Sequence, residues 1–429
     1  MGKALCTAEH MGLKFDRAIA CNLQITIHCK GIVNIEFFQK ALNIIQKRHF
    51  YLNVFVDSTK AEFNQFEASP FIPLTVIDDK GLNQWPEEAE EDLNKRFSAE
   101  NAPYARVKIL RSSNECKIIM TLCHFVSDGI SGLNLLRSIL EVYNKLLNNE
   151  TDFGLKEIPE MALDFELFPE GIDEDFSIFP PEIEQDIIQK NRIPLEQRKV
   201  GFFEHTLSVE ETCSLTSKCR NENTTVYGAL CAFAMAAMAD EISERYVSIE
   251  EVAVDCISAI NMRQLLNKPI SDEQLGFGAL MAKTHQSVFS KQKSLWEVAK
   301  NAKRDLESFI LKHGLFKQLY FISEAFGLTD EEFSQEMEYS GQYIIISNLG
   351  IIEDKNMPRQ LGNIEFEKIS LSGTTHYVQG TEWGIFITAN TFDGRLNLGF
   401  NYTKGYWDSN RVERYANKVV KIINEMSNG

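Results

Sequence analysis

Residues 116–129 read Cys116-Lys117-Ile118-Ile119-Met120-Thr121-Leu122-Cys123-His124-Phe125-Val126-Ser127-Asp128-Gly129. The first eight form an apolar run of strand length that stops at a turn signal, which predicts a buried strand. Asp128-Gly129 then turns the chain into a helix, since Leu133, Leu136, Ile139, Leu140, Tyr143 and Leu147 mark one face at helical spacing. A strand that ends on a histidine fixes the imidazole. With an ordinary pKa of about 6.5, the neutral ring accepts a proton from a hydroxyl or amine and returns it to a leaving thiol. On spacing alone, the commoner reading of such a pair is a packed histidine beside a turn carboxylate.

Working outward, Leu13 to Lys30 ends in the alternating Leu23-Gln24-Ile25-Thr26-Ile27-His28, a half-buried strand. Phe38, Leu42 and Ile45 predict a helix over 35–49, with Asn34 as its cap. Short strands follow at 52–56 and 71–77, an exposed helix at 87–96, and an alternating strand at 104–110. From about 149 to 197 the pattern dissolves into acidic residues and prolines, the composition of a surface linker. The second half repeats the style of the first. It has strands at 201–209, 252–260, 280–288, 343–347, 384–390 and 396–403, an apolar helix at 225–239, and helices from 211, over 295–311 and over 409–426. The turn Phe392-Asp393-Gly394 marks a hairpin. These elements predict an α/β (α+β) protein with a first lobe at 1–170, an acidic proline-containing linker at 171–200 and a second lobe at 201–429.

A chain of 429 residues exceeds the length at which one hydrophobic core stops growing, in keeping with two lobes. Its formal charge of −17 repels phosphate backbones and anionic lipid surfaces, so nucleic acid is not an expected partner, although a local basic patch for a phosphorylated ligand remains compatible with it. Nine cysteines without a Cys-x-x-Cys pair predict buried thiols in a reducing compartment rather than disulfides or zinc. The N-terminus lacks a signal-peptide core, and the longest apolar run, 226–239, is short for a bilayer, so a cytoplasmic protein without a membrane span is expected.

His124-x-x-x-Asp128-Gly129, followed by Ile130-Ser131-Gly132 and a helix, resembles the His-x-x-x-Asp-Gly motif of the chloramphenicol acetyltransferase-like superfamily. That group includes condensation domains, polyketide-associated acyltransferases and alcohol acetyltransferases. Arg48-His49-Phe50-Tyr51-Leu52, Thr225-Val226, Asn261-Met262-Arg263, Leu275-Gly276-Phe277 and Ser347-Asn348-Leu349-Gly350 recur in the order found in condensation-like proteins. The resemblance implies two acetyltransferase-like lobes, each a mixed sheet flanked by helices, set as a V around a central tunnel. It implies His124 as the general base, Asp128 as a structural residue with Arg263 as partner, and Gly129 in the tight turn. The implied reaction moves an acyl group from a thioester, on coenzyme A or the phosphopantetheinyl arm of a carrier protein, to a hydroxyl or amine in specialised metabolism. No acyl-enzyme, bound cofactor or metal is implied. A free-standing condensation enzyme joining carrier-bound substrates and a catalytically silent recruitment module are the alternatives.

Two departures qualify the resemblance. Position 123 is Cys where condensation domains usually carry a first histidine, and Glu382-Trp383-Gly384 stands where the plant subgroup has Asp-Phe-Gly-Trp-Gly. Cys123 beside His124 points to the opposite face of a strand and reads as a buried thiol rather than a nucleophile. Ser347 and Asn348 are candidates for oxyanion donors or tunnel lining, with a strand-end turn as the other reading. His376 is a candidate to face the acceptor, with an ordinary half-exposed histidine as the alternative.

Overall fold

The computed structural model describes residues 2–57, 59–81, 84–100, 103–154, 156–159, 161, 165–170, 172, 192–246, 249–290, 294–339, 341–352 and 357–428. Most of the expected linker therefore lies outside the described residues. Two six-stranded mixed sheets dominate the fold. The first contains Asn22–Lys30 and Glu115–Cys123 side by side and antiparallel, with Ala105–Arg111 and Leu74–Asp78 beyond. The second places Tyr343–Ile351 between Val252–Asn261 and Gly384–Phe392, parallel to both.

Local chemistry explains why these segments form what they do. Asn34 accepts Phe37 N–H at the start of Ile35–Gln46, whose buried Phe38, Ala41, Leu42 and Ile45 follow the 3–4 spacing. Gly129–Leu147 is capped by Asp128, and Val226–Arg245 by Thr225, which accepts Gly228 N–H. Val226–Arg245 is long and apolar enough to cross a membrane. Here its alanines, methionines and Phe233 are buried beneath the second sheet, and that all-round burial accounts for its lack of a polar face.

Three departures from the expected pattern matter for the site. Residues Thr7–Ala18, whose second half the sequence pattern joins to the following strand, form a helix with Ala8, Met11 and Phe15 buried. Helices Gly314–Glu324 and Asp330–Glu336 are likewise unmarked by the pattern. Strand Ile364–Gly373, from the half of the chain assigned to the second lobe, instead pairs with Asn22–Lys30 of the first sheet, Ile369 lying opposite Ile27. Pairing energy explains the exchange: Asn22–Lys30 needs a partner on its free edge, and Ile364, Phe366 and Ile369 complete the first core. The chain then returns through 374–383 to the second sheet, with Thr374 N–H donating to Asn22 O at 2.9 Å.

Because Ile369 is fully buried in the first core, Ile369→Ala is expected to cost about 2–5 kcal/mol. Hydrogen exchange should show the loss of protection in 22–30 and 115–123, and sparing of 252–261, despite the position of the mutation late in the chain.

Candidate active site

The Glu115–Cys123 strand carries the chain to a single helical turn, His124–Val126. His124 N–H donates to Cys21 O at 2.8 Å, continuing the ladder one residue past the strand. Nδ1 of His124 lies 2.7 Å from Ser127 O. A carbonyl only accepts, so Nδ1 must carry the ring proton, and in the neutral ring Nε2 keeps its lone pair. Ser127 is itself held by its hydroxyl, which donates to Cys123 O at 2.7 Å. The Phe277 ring stands edge-on to the imidazole, centroids 4.9 Å apart. Burial lowers the His124 pKa from its ordinary value, outweighing the Ser127 carbonyl and the Asp128 charge, which act the other way. The ring is therefore neutral at pH 7.

Asp128 does different work. Oδ1 accepts Ser131 N–H at 2.9 Å as the helix cap, and Oδ2 accepts Arg263 Nη1 at 2.6 Å and Gly278 N–H at 2.7 Å. Both side chains of the ion pair are essentially without solvent exposure. Arg263 Nη2 extends the contact to Gly276 O at 3.3 Å and Gln274 O at 3.4 Å. A Cβ at residue 278 would lie 2.5 Å from Arg263 Nη1, so a side chain there displaces the guanidinium from Asp128. The pair thus ties the loop after His124, in the first lobe, to the end of strand Val252–Asn261 in the second.

A cavity of about 790 Å³ lies between the lobes, with His124 and Leu23 on one wall and Ala259, Met281, Ser347 and Phe386 on the other. Gly129 and Leu349 face it as well. Most of its lining is apolar, with the Met11 and Phe15 side chains supplied by the Thr7–Ala18 helix.

The sequence-based candidates separate on this geometry. His124, Gly129 and Ser347 line the cavity, and Arg263 and Asp128 meet behind it. Asn348 does not line it: its Oδ1 accepts Gly350 N–H at 2.9 Å, at an irregularity in the pairing of Tyr343–Ile351 with Gly384–Phe392. His376 does not line the cavity, and it is buried where a half-exposed histidine was the alternative. Its flanking Thr375 and Tyr377 line the cavity, while the imidazole points into protein, 1% exposed, where burial and the Arg198 charge push its pKa down to about 3. Cys123 is fully buried, and its thiol is driven well above its ordinary pKa by burial beside Asp16. It stands as a neutral thiol in the first core, not as a nucleophile. Met11, Phe15, Phe386 and Tyr377 escaped the sequence reading. The 3–4 spacing of Ala8, Met11 and Phe15 was the available signal for the first two.

The two-lobe fold is the one found in condensation domains and in an acetyltransferase. Residues 12–157 match the family described as Condensation domain, and residues 196–401 match Phthiocerol/phthiodiolone dimycocerosyl transferase C-terminus. The chain belongs to the chloramphenicol acetyltransferase-like superfamily. Polyketide synthase PksN of Bacillus subtilis (strain 168) is 26% identical over 133 residues, which is 30% of this chain and 2% of that protein. A linear gramicidin synthase of Brevibacillus parabrevis is 26% identical over 194 residues, 43% of this chain and 4% of that protein. The chain thus spans only a small part of the length of these relatives. Among solved structures, trichothecene 15-O-acetyltransferase from Fusarium sporotrichioides superposes with a TM-score of 0.72 at 13% identity, covering 99% of this chain and 95% of that one. Polyketide synthase associated protein 5 from Mycobacterium tuberculosis gives 0.68 at 13% identity, covering 100% and 99%. The first condensation domain of the CDA synthetase gives 0.67 at 12%, covering 100% and 96%.

Arg263→Ala leaves the Asp128 carboxylate buried and uncompensated, with a cost of about 3–5 kcal/mol expected in chemical denaturation. Arg263→Lys should recover only part of it, since one ammonium cannot reach Asp128, Gly276 and Gln274 together.

Proposed function

We propose that the chain is an acyltransferase that moves an acyl group directly from a thioester to a hydroxyl or amine, with His124 as general base. The observation that carries the reading is the pairing of Nδ1 with the Ser127 carbonyl, which leaves Nε2 unprotonated on a ring that lines the cavity between the lobes. Nε2 takes the acceptor proton as the oxygen or nitrogen attacks the thioester carbonyl. The tetrahedral oxyanion collapses, the C–S bond breaks, and the proton passes from Nε2 to the departing thiolate. Ser347, on the facing wall and with its hydroxyl unpartnered among the described residues, is the proposed donor to the oxyanion. Thioester activation resides in the substrate, so the proposed reaction uses no metal or resident organic cofactor. The apolar lining suits an acyl group or acceptor with a hydrocarbon body.

Coenzyme A and a carrier-protein arm offer the same thioester chemistry. The match to Condensation domain and to two multidomain synthases favours, as the second reading, a condensation enzyme acting on carrier-bound substrates. An intact Asp128-braced histidine weighs against a silent recruitment module.

Acceptor-dependent thiol release should fall at least about a hundredfold in a folded His124→Ala chain. Equal release by both chains removes His124 from the base role. Release from carrier thioesters but from no free thioester favours the condensation reading. The acidic limb of kcat/KM should have its inflection below the ordinary 6.5 of histidine, because burial favours the neutral ring. A plateau reached only above pH 7 would contradict that environment.

A further inference from the structure

Behind the His124 turn lies a carboxyl group that the proposed chemistry does not use. Asp16 sits in the last turns of the Thr7–Ala18 helix with no solvent exposure. Its Oδ1 accepts Cys21 N–H at 3.3 Å. The carbonyl of the same residue, Cys21, accepts His124 N–H at 2.8 Å. One residue therefore separates the carboxyl from the backbone that carries the imidazole. The helix is pressed onto the turn itself: a Cβ on Gly12 would lie 2.8 Å from Phe125 Cα, so only glycine permits the approach. A shift of the helix is consequently felt at residues 124–126.

We propose that Asp16 is a positioning residue for His124: it fixes the Cys21 peptide from which the His124 backbone hangs, and its ionisation alters that hold. The inference rests on His124 as the base. Among the described residues Oδ2 of Asp16 has no hydrogen bond, and Arg96 Nε, on a side chain that is 45% exposed, lies 3.7 Å from it. Cys21 and Cys123 thiols adjoin the carboxyl at two neighbouring strand ends, with Tyr104 just before the Ala105–Arg111 strand and Arg106 within it. Burial raises the Asp16 pKa to about 7, against the pull of Arg96 and the Cys21 N–H. A carboxyl raised above its unfolded value contributes stability at low pH that is lost as pH climbs through the folded value. Near neutrality the group thus passes from a neutral acid at ease in the core to a carboxylate that draws on Arg96.

The test compares the native chain with Asp16→Asn and Asp16→Ala between about pH 5.5 and 9. The readouts are thiol release from S-octanoyl-N-acetylcysteamine with mixed alcohol and amine acceptors, and the carbon-13 shift of the His124 imidazole. Asp16→Ala is expected to lower kcat, per folded molecule, about tenfold or more with KM within about twofold, as displacement of a base does. Asp16→Asn, which keeps the acceptor and cannot ionise, should stay within about twofold of native kcat at pH 6 and lose the native change in the His124 shift near pH 7. A native kcat in Asp16→Ala, or identical His124 titrations in the native and Asp16→Asn chains, overturns the proposal. If the native chain releases no thiol from this free thioester, the reading as a transferase for free thioesters loses support, and the His124 shifts decide the role of Asp16 on their own.

Discussion

Arg263 and Asp128 meet at 2.6 Å with both side chains shut away from water. A buried pair of this kind is costly to assemble and still more costly to break from one side, so its partners constrain one another strongly. Here the constraint joins the lobes. Asp128 caps the Gly129–Leu147 helix of the first, and Arg263 follows the Val252–Asn261 strand of the second. Gly278 N–H and the carbonyls of Gly276 and Gln274 complete the site, so the 274–278 segment is fixed by the same contact. Phe277, held in that segment, reaches the His124 ring. The placement of His124 therefore depends on the pair through both ends of its loop.

Division of labour between the two motif residues follows from their hydrogen bonds. Both oxygens of Asp128 are committed to Ser131, Gly278 and Arg263, and its influence on His124 is through charge at a distance. The tautomer is set instead by a backbone carbonyl, that of Ser127, which cannot rotate away without breaking the turn. A carbonyl in that place orients the ring without adding a second titrating group beside it.

Much of this was legible in the sequence. The apolar run to Cys123, the Asp128 turn and the helical face from Leu133 follow from periodicity and capping, and the Asp128–Arg263 contact followed from family resemblance rather than from any spacing. The rest was hidden for physical reasons. Ile364–Gly373 was not marked as a strand, and nothing in its own residues says that its partner lies some 340 positions earlier in the first sheet. Thr7–Ala18 was obscured by the polar Lys14, Asp16 and Arg17 among its apolar positions, although Lys14 and Asp16 are buried in the fold. His376 was misplaced because a histidine in a Thr-Thr-His-Tyr run carries no mark of which way it turns. Asn348, read as tunnel lining or a strand-end turn, lies within the Tyr343–Ile351 strand at a break in its register, a feature set by the neighbouring strand and not by its own residues.

The proposed transfer depends on a neutral His124 imidazole that presents its Nε2 lone pair to the cavity. Nitrogen-15 spectroscopy of His124 in the native chain at pH 7 tests it without any knowledge of the substrate. A protonated Nδ1 and an unprotonated Nε2 are expected, unchanged by Asp128→Asn so long as the chain folds. The opposite tautomer, or a doubly protonated ring at that pH, would contradict it.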